Sequence, residues 1–259
     1  MGYAGSNPAP STKWPCRLAR SRTLPSHGRN TGSNPVGATM KTNYEELFPE
    51  EFKARIKENP VAFLPLGSLE YHGYHNALGL DALKAWKICQ LASEKTGGVV
   101  FPPLYLGFDA YPDIDLEKYP NKQYDCYHLD KETYQKVLEN YFYRMIRIGF
   151  KTIFVLAGHY PNADVAKLAS EKHKEKARFI IVKEPDLVEG ESGDHAGKWE
   201  TSLMMVLFPG LVDLNRGKNK KDRLLAVEGT DPQESSAEYG KEILKRIIFK
   251  IESLLTKQR

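Results

Sequence analysis

From residue 40 onward, short apolar runs alternate with segments in which apolar residues recur every three or four positions. The runs have the length of buried strands, and the periodic segments have the length of amphipathic helices. The predicted strands are residues 61–66, 99–101, 152–157 and 179–182. The predicted helices are residues 80–95, 131–148, 162–176, 199–208 and 237–255. This alternation predicts an α/β fold with a mostly parallel sheet that is covered by helices on both faces.

The clearest local signals belong to the helix over residues 131–148. Asp130 is a suitable N-cap for it, and Gly149 is a typical helix terminator. Residues 105–128 contain five tyrosines with several Asp, Pro and Asn, which indicates one long functional loop. No linker divides residues 40–259, so we interpret them as one domain.

The first 39 residues differ from the rest of the chain. They are rich in Gly, Pro, Ser, Asn and Arg, and Gly-Ser-Asn-Pro occurs at residues 5–8 and again at residues 32–35. One interpretation is a basic disordered tail that contacts RNA. We favour another, because the T-arm consensus of a tRNA gene encodes Gly-Ser-Asn-Pro in one reading frame. On that hypothesis residues 1–39 are a disordered, non-native extension translated from tandem tRNA genes, and the chain starts at Met40.

Composition and charge exclude several classes of protein. The chain is 41% hydrophobic and 27% charged, which excludes wholesale disorder, collagen and coiled coil. Its apolar runs are far shorter than the ~20 residues of a membrane span. The net charge of +4 comes from residues 1–39, which hold five basic residues and no acid, so residues 40–259 carry a net charge of −1. We therefore expect no nucleic-acid or membrane partner, and three scattered cysteines fit a cytoplasmic location.

Histidine and carboxylate side chains follow the predicted strands. Ligands of open parallel sheets bind outside the carboxyl ends of the strands, which is where these residues fall. Imidazole and carboxylate together suit Zn²⁺ or Mn²⁺. The competing interpretation is structural: Asp194 as an N-cap, Glu200 as a partner of a helix dipole, and Trp199 as a core residue. The polar residues concerned are Glu70, His72, His75, Asp81, His159, Asp194, His195 and Glu200.

Three ordered motifs add a family resemblance. Residues 67–75 read Gly-Ser-Leu-Glu-Tyr-His-Gly-Tyr-His and are followed by Asp81. Residues 158–162 read Gly-His-Tyr-Pro-Asn, and residues 194–202 read Asp-His-Ala-Gly-Lys-Trp-Glu-Thr-Ser. Together they resemble the motifs of the creatininase (creatinine amidohydrolase) family. The resemblance implies a three-layer α/β/α fold, a hydrolytic site with two divalent ions, and a homo-oligomer that is often a hexamer.

The same resemblance implies roles for individual residues. His195 matches the histidine that acts near the substrate, and we expect it to be catalytic. Tyr160 matches a tyrosine that contacts substrate, and we expect Asp194 and Trp199 to bind substrate as well. The expected ions are Zn and/or Mn, with Fe possible. The expected metal ligands are Glu70, His72, Asp81 as the bridge between both ions, His159 and Glu200.

The chain departs from the family pattern at three positions. Ala77 and Leu80 replace a proline and a threonine that are common in the first motif. Creatininases proper carry a glutamate ligand two residues after the second-motif histidine, and this chain has Pro161 there. The departure at Pro161 leaves open whether creatinine is the substrate and whether the second metal site is occupied.

The function that we expect is cleavage of a C–N bond in a small cyclic amide by a metal-activated water. Three alternatives remain open at this point. The chain could be a formamide deformylase, a hydrolase that trims a modified peptide, or a metal-binding protein without catalytic activity.

Overall fold

The computed structural model describes residues 41–108 and 127–256. The predictions for residues 1–39 and for most of the loop over residues 105–128 lie outside this part of the chain. Among the described residues, none of the helices has the length and apolar character that crossing a membrane requires.

Four parallel strands form the central sheet. They are β1 (Val61–Leu66), β2 (Val99–Val100), β5 (Thr152–Ala157) and β6 (Arg178–Val182), in the spatial order β2-β1-β5-β6. β1 pairs with β5 along its whole length, from Val61 opposite Thr152 to Leu66 opposite Ala157. β3 (Gly107–Phe108) and β4 (His128–Leu129) form a separate parallel pair within the predicted loop.

Helices cover both faces of the sheet, as the three-layer prediction requires. Successive side chains of a strand point to opposite faces, so an entirely apolar strand supplies two cores. Phe63 of β1 packs with one layer of helices, and Leu64 packs with the other. The first layer contains α2 (Leu80–Thr96), α5 (Lys198–Leu207) and α6 (Ala237–Thr256). The second contains α1 (Pro49–Glu58), α3 (Lys131–Ile148) and α4 (Asn162–Ser170).

Local signals explain where the helices begin and end. Asp130 caps α3 by accepting a hydrogen bond from the Thr133 N–H at 3.0 Å, and Gly149 ends it with φ 118°. The prediction of a helix over residues 162–176 is too long, because α4 ends at Ser170 and a single 3₁₀ turn, Glu171–His173, follows. Residues 171–176 contain no apolar side chain that could pack on the core, so helix propensity alone does not extend α4.

Two glycines allow α2 to begin against the carboxyl ends of β1 and β5. A Cβ atom at Gly67 would overlap the backbone of Ala82, and one at Gly158 would overlap the carbonyl oxygen of Asp81. Only a residue without a side chain permits this approach. The first turn of α2 therefore lies between the ends of the two central strands.

Candidate metal centre

Asp81 stands at the centre of a buried cluster of histidines and carboxylates. It is the second residue of α2 and is 2% exposed. Its Oδ1 lies 3.1 Å from His72 Nε2, and its Oδ2 lies 3.4 Å from His159 Nδ1. Oδ2 is buried and has no hydrogen-bond partner among the described residues. The carboxylate thus presents one oxygen to each of two histidines, which is the arrangement of a ligand that can bridge two cations.

Three histidines of the cluster share one mode of anchoring. His72 Nδ1 lies 3.1 Å from the Glu70 carbonyl oxygen, and His159 Nε2 lies 3.1 Å from the Phe108 carbonyl oxygen. His195 Nε2 lies 3.1 Å from the Tyr71 carbonyl oxygen. A carbonyl oxygen only accepts hydrogen bonds, so each of these ring nitrogens is the N–H donor. The opposite nitrogen of each ring faces the carboxylates, which is how proteins orient histidines that ligate metals.

Glu70 is the carboxylate with the most histidine neighbours. Its Oε2 lies 2.9 Å from His159 Nδ1 and 3.2 Å from His128 Nε2, and its Oε1 lies 3.3 Å from His195 Nδ1. The residue lies in the loop that leads from the end of β1 to α2. Both of its oxygens therefore face imidazole nitrogens that could share a cation with it.

Glu200 reaches the cluster from the first turn of α5. Its Oε2 lies 3.8 Å from His72 Nε2 and accepts a 2.8 Å hydrogen bond from the Ala196 N–H. Ala196 has φ 56°, a conformation that few residues other than glycine adopt, and such strain is concentrated at functional sites. The other carboxylate oxygen of Glu200, Oε1, accepts a hydrogen bond from the ammonium group of Lys84. One oxygen of Glu200 is thus held by Lys84, while the other faces the histidines.

The pKa values of the cluster are shifted because its ionisable groups are buried close to one another. Burial opposes the charged form of His72, but Asp81, Glu70 and Glu200 outweigh it and raise its pKa to about 9. Burial likewise opposes the charged form of His159, and the neighbouring carboxylates of Asp81 and Glu70 raise its pKa to about 10. Burial favours the neutral form of Asp81, yet His72 lowers its pKa to about 2. The carboxylates therefore favour positive charge on the buried rings of His72 and His159.

The donor set fits divalent metal ions. Three groups of side chains each bring three ligand atoms within 4.8 Å of one another. Imidazole and carboxylate ligands suit Zn²⁺ and Mn²⁺, and a cation would satisfy Oδ2 of Asp81, which has no hydrogen-bond partner among the described residues. The groups are Glu70, His72 and His195; Glu70, His128 and His159; and His72, Asp81 and Glu200.

A second buried charge cluster lies behind the first. Lys84 is fully buried, and its ammonium nitrogen lies 3.7 Å from Glu184 Oε1 in addition to its hydrogen bond to Glu200. Burial opposes its charged form, but Glu184 and then Glu200 hold the pKa of Lys84 above its usual value. Burial raises the pKa of Glu184 to about 7. Lys84 and Glu184 are polar residues that the sequence analysis did not identify.

The residues predicted to bind substrate lie in different environments. Trp199 is 3% exposed and packs in the apolar core with α6, and its indole Nε1 is buried without a hydrogen-bond partner among the described residues. Asp194 accepts hydrogen bonds from the N–H groups of Trp199 at 2.7 Å and Glu200 at 3.1 Å, which makes it a cap of α5. Tyr160 is half-buried, and its hydroxyl has no hydrogen-bond partner among the described residues.

The structure changes the interpretation of two histidines. His75 lies apart from the cluster, because its Nε2 donates to the Ala196 carbonyl oxygen at 2.9 Å and so joins the first motif to the third. His128, which no motif contains, lies inside the cluster. The only signal for it is its place at the end of the loop over residues 105–128, which the sequence marks as functional.

Comparison with known proteins agrees with the three motifs. A model of the creatininase family, described as creatinine amidohydrolase, matches residues 45–255. The creatinine amidohydrolase of Pseudomonas putida is 28% identical over 194 residues, which cover 66% of this chain and 74% of that protein.

Solved structures support the fold. A structure described as creatininase Mn has a TM-score of 0.70 and 22% identity, and the match covers 84% of this chain and 98% of that one. A mutant creatininase of Zn-Zn type has a TM-score of 0.70 and 23% identity, with the same coverage. Since the family match spans most of the chain and contains all three motifs, the chain belongs to the creatininase family and is a hydrolase of that family.

Proposed function

We propose that the chain hydrolyses the C–N bond of a small cyclic amide at a site that holds two divalent ions. The observation that carries the proposal is the position of Asp81, with Oδ1 facing His72 and Oδ2 facing His159. The names of two similar structures, creatininase Mn and a Zn-Zn type mutant, favour Mn and Zn as the ions.

The proposed ligands divide into two sets around Asp81. His72 and Glu200 would complete one set, and Glu70 and His159 would complete the other. When bound, two ions in such a site polarise a carbonyl group and lower the pKa of a water molecule towards neutrality. The protein contributes the positions of the ligands, which the backbone carbonyl anchors of the histidines hold in place.

His195 is the proposed proton carrier. Its Nε2–H donates to the Tyr71 carbonyl oxygen, which leaves Nδ1 facing Glu70 and the interior of the site. Nδ1 would accept a proton as water adds to the amide carbon and would return it to the nitrogen as the C–N bond breaks. The ring is 29% exposed, so it can contact a substrate that enters from solvent.

Tyr160 is the proposed substrate contact. Its buried hydroxyl has no hydrogen-bond partner among the described residues. An unsatisfied donor of this kind favours a ligand that can accept a hydrogen bond from it. The capping contacts of Asp194 and the core packing of Trp199 favour structural roles for both residues. They would hold the start of α5, and with it Glu200, in position.

A panel of substrates tests the proposal. The full-length protein, loaded with Zn²⁺ or Mn²⁺, is assayed with creatinine, other cyclic amides, formamides and short peptides, with His195→Ala as the control. Turnover of a cyclic amide that depends on added metal and on His195 is the expected result. Turnover of a formamide or a peptide alone would replace the proposal with one of those activities. Full metal loading without turnover of any member would contradict hydrolysis of this class of substrate.

We expect the working enzyme to be a homo-oligomer in the cytoplasm, with a small molecule as its substrate and neither nucleic acid nor membrane as partner. The net charge of −1 on residues 40–259 supports the absence of a polyanionic partner. RNA binding that survives removal of residues 1–39 would contradict this expectation.

A further inference from the structure

His128 is the member of the cluster that lies outside all three motifs. It belongs to β4, where it pairs with Gly107 of β3. Its Nε2 lies 3.2 Å from Glu70 Oε2, the same oxygen that His159 Nδ1 approaches to 2.9 Å. The centroids of the two imidazole rings are 4.9 Å apart, with 38° between the ring planes. Two imidazoles from separate strands thus converge on one carboxylate oxygen.

The backbone holds His128 at this place. The Tyr127 N–H donates to the Leu69 carbonyl oxygen at 3.1 Å, which joins the start of β4 to the loop that carries Glu70. Gly107 lies directly beside the imidazole, because a Cβ atom at Gly107 would come within 2.5 Å of His128 Cδ2. The absence of a side chain at residue 107 therefore leaves the space that the His128 ring occupies.

We infer that His128 is a ligand of the ion that Glu70 and His159 hold, an inference that rests on the metal site of the proposed function. Its Nε2, Glu70 Oε2 and His159 Nδ1 all lie within 4.8 Å of one another, as compactly as the atoms of the other two groups. Glu70 Oε2 lies within hydrogen-bond distance of both ring nitrogens. A divalent cation would bind the same three atoms, since imidazole and carboxylate are both ligands that it prefers.

The assignment gives the two ions different numbers of protein ligands. With the shared Asp81, the ion near His128 has four protein ligands, namely Glu70, Asp81, His128 and His159. The other ion has three, namely His72, Asp81 and Glu200. Four protein ligands are typical of a closed structural site, whereas three leave a position for water or substrate. Pro161 has no side-chain donor, so it contributes to neither set of ligands.

The alternative is that His128 only donates a hydrogen bond to Glu70. A glutamine at residue 128 separates the two roles, because its amide can donate to a carboxylate but is a poor ligand for Zn²⁺. His128→Ala removes both roles. His173→Ala is the matched control, since His173 belongs to the 3₁₀ turn after α4 and to none of the three ligand groups.

The test is titration of the full-length, metal-depleted variants with Zn²⁺ in competition with a chromophoric chelator, with circular dichroism to verify the fold. His128→Ala and His128→Gln should both lower the affinity for one of the two Zn²⁺ equivalents by ~10–100-fold and leave the affinity for the other unchanged. His173→Ala should bind like the wild type. Wild-type affinity in His128→Gln, or two unchanged equivalents in His128→Ala, would overturn the assignment.

A second variant and a second measurement cover the case in which loss of the ring disturbs the fold. Gly107→Ala keeps every ligand but displaces the His128 ring, so it should weaken the same Zn²⁺ equivalent. In crystals of the Zn²⁺-loaded wild type, His128 Nε2 should lie about 2.0–2.1 Å from an ion. A separation above about 3 Å would overturn the assignment. These results do not depend on turnover, so a wild type that binds Zn²⁺ through His128 but hydrolyses no amide would contradict only the proposed function.

Discussion

At the scale of single residues, the site depends on histidines whose rings are fixed by main-chain atoms. The carbonyl groups of Glu70, Tyr71 and Phe108 each bind one imidazole N–H, the first two from the loop after β1 and the third from β3. Substitution of a neighbouring side chain leaves these anchors in place, because they are backbone atoms. Single substitutions in the cluster should therefore change metal binding or catalysis without rearranging the remaining ligands.

His195→Ala should separate chemistry from metal binding. The variant loses the proton carrier but none of the five proposed motif ligands, so it should keep its metal while turnover falls by ~10²–10⁴-fold. Turnover and metal content measured on one preparation check this prediction. Loss of an ion would instead make His195 a ligand through the group that it forms with Glu70 and His72.

Glu200→Gln should reduce the metal content from two ions per chain to about one. Only His72 and the shared Asp81 would remain around the affected ion, and two protein ligands are too few for a tight Zn²⁺ site. Elemental analysis at saturating Zn²⁺ or Mn²⁺ measures the effect. Glu184→Gln is the matched control, since it also removes a carboxylate beside Lys84 but leaves Glu200 in place. Two ions retained in Glu200→Gln would reduce Glu200 to a partner of the helix dipole.

At the scale of elements, the strands and helices could be predicted well where the signal is local. β1 and β5 match their predicted bounds because continuous apolar runs identify strands that are buried on both faces. Asp130 and Gly149 mark the ends of α3 in the sequence itself. The end of α4 could not be predicted, because it depends on where the helix ceases to contact the core.

The predicted site was incomplete for a related reason. Motif residues at the ends of β1 and β5 converge because parallel strands end at one edge of a sheet. His128 follows a segment without periodicity, and its strand contains only two residues. Lys84 lies on the buried face of an amphipathic helix, where its spacing from Ile88 was the only signal of burial. Contacts between such distant residues depend on tertiary packing, which a single sequence does not show.

The buried ion pair between Lys84 of α2 and Glu184, which follows β6, should make the free energy of unfolding depend on pH. Burial raises the pKa of Glu184 from its usual 4.5 to about 7. The folded chain therefore binds this proton more tightly than the unfolded chain, and the stability that results is present below pH 4.5 and lost as the pH rises to about 7. Glutamine does not titrate, so the free energy of unfolding of Glu184→Gln minus that of the wild type should increase over this window and then stay constant.

Denaturant unfolding of the metal-depleted proteins between pH 4 and about 8 measures the difference. A difference that does not vary with pH would contradict the assignment, and the exposed Glu234→Gln serves as the control.

At the scale of the whole molecule, the family match begins at residue 45 and ends at residue 255. The hypothesis that translation starts at Met40 leaves this match intact. We expect mass spectrometry of the native protein to detect peptides from residues 40–259 and none from residues 1–39. A peptide from residues 1–39 would contradict the hypothesis and restore the basic tail as a part of the protein to be explained.

The two-ion site is the claim on which the other conclusions depend, and the metal content of Asp81→Ala tests it most directly. Asp81 faces both His72 and His159, so its loss removes a ligand from each proposed ion. The wild type should bind two ions per chain at saturating Zn²⁺ or Mn²⁺. Asp81→Ala should lose at least one of them, together with its activity, while circular dichroism shows that the fold is retained. A folded Asp81→Ala variant that keeps its full metal content would contradict the bridging role and, with it, the proposed site.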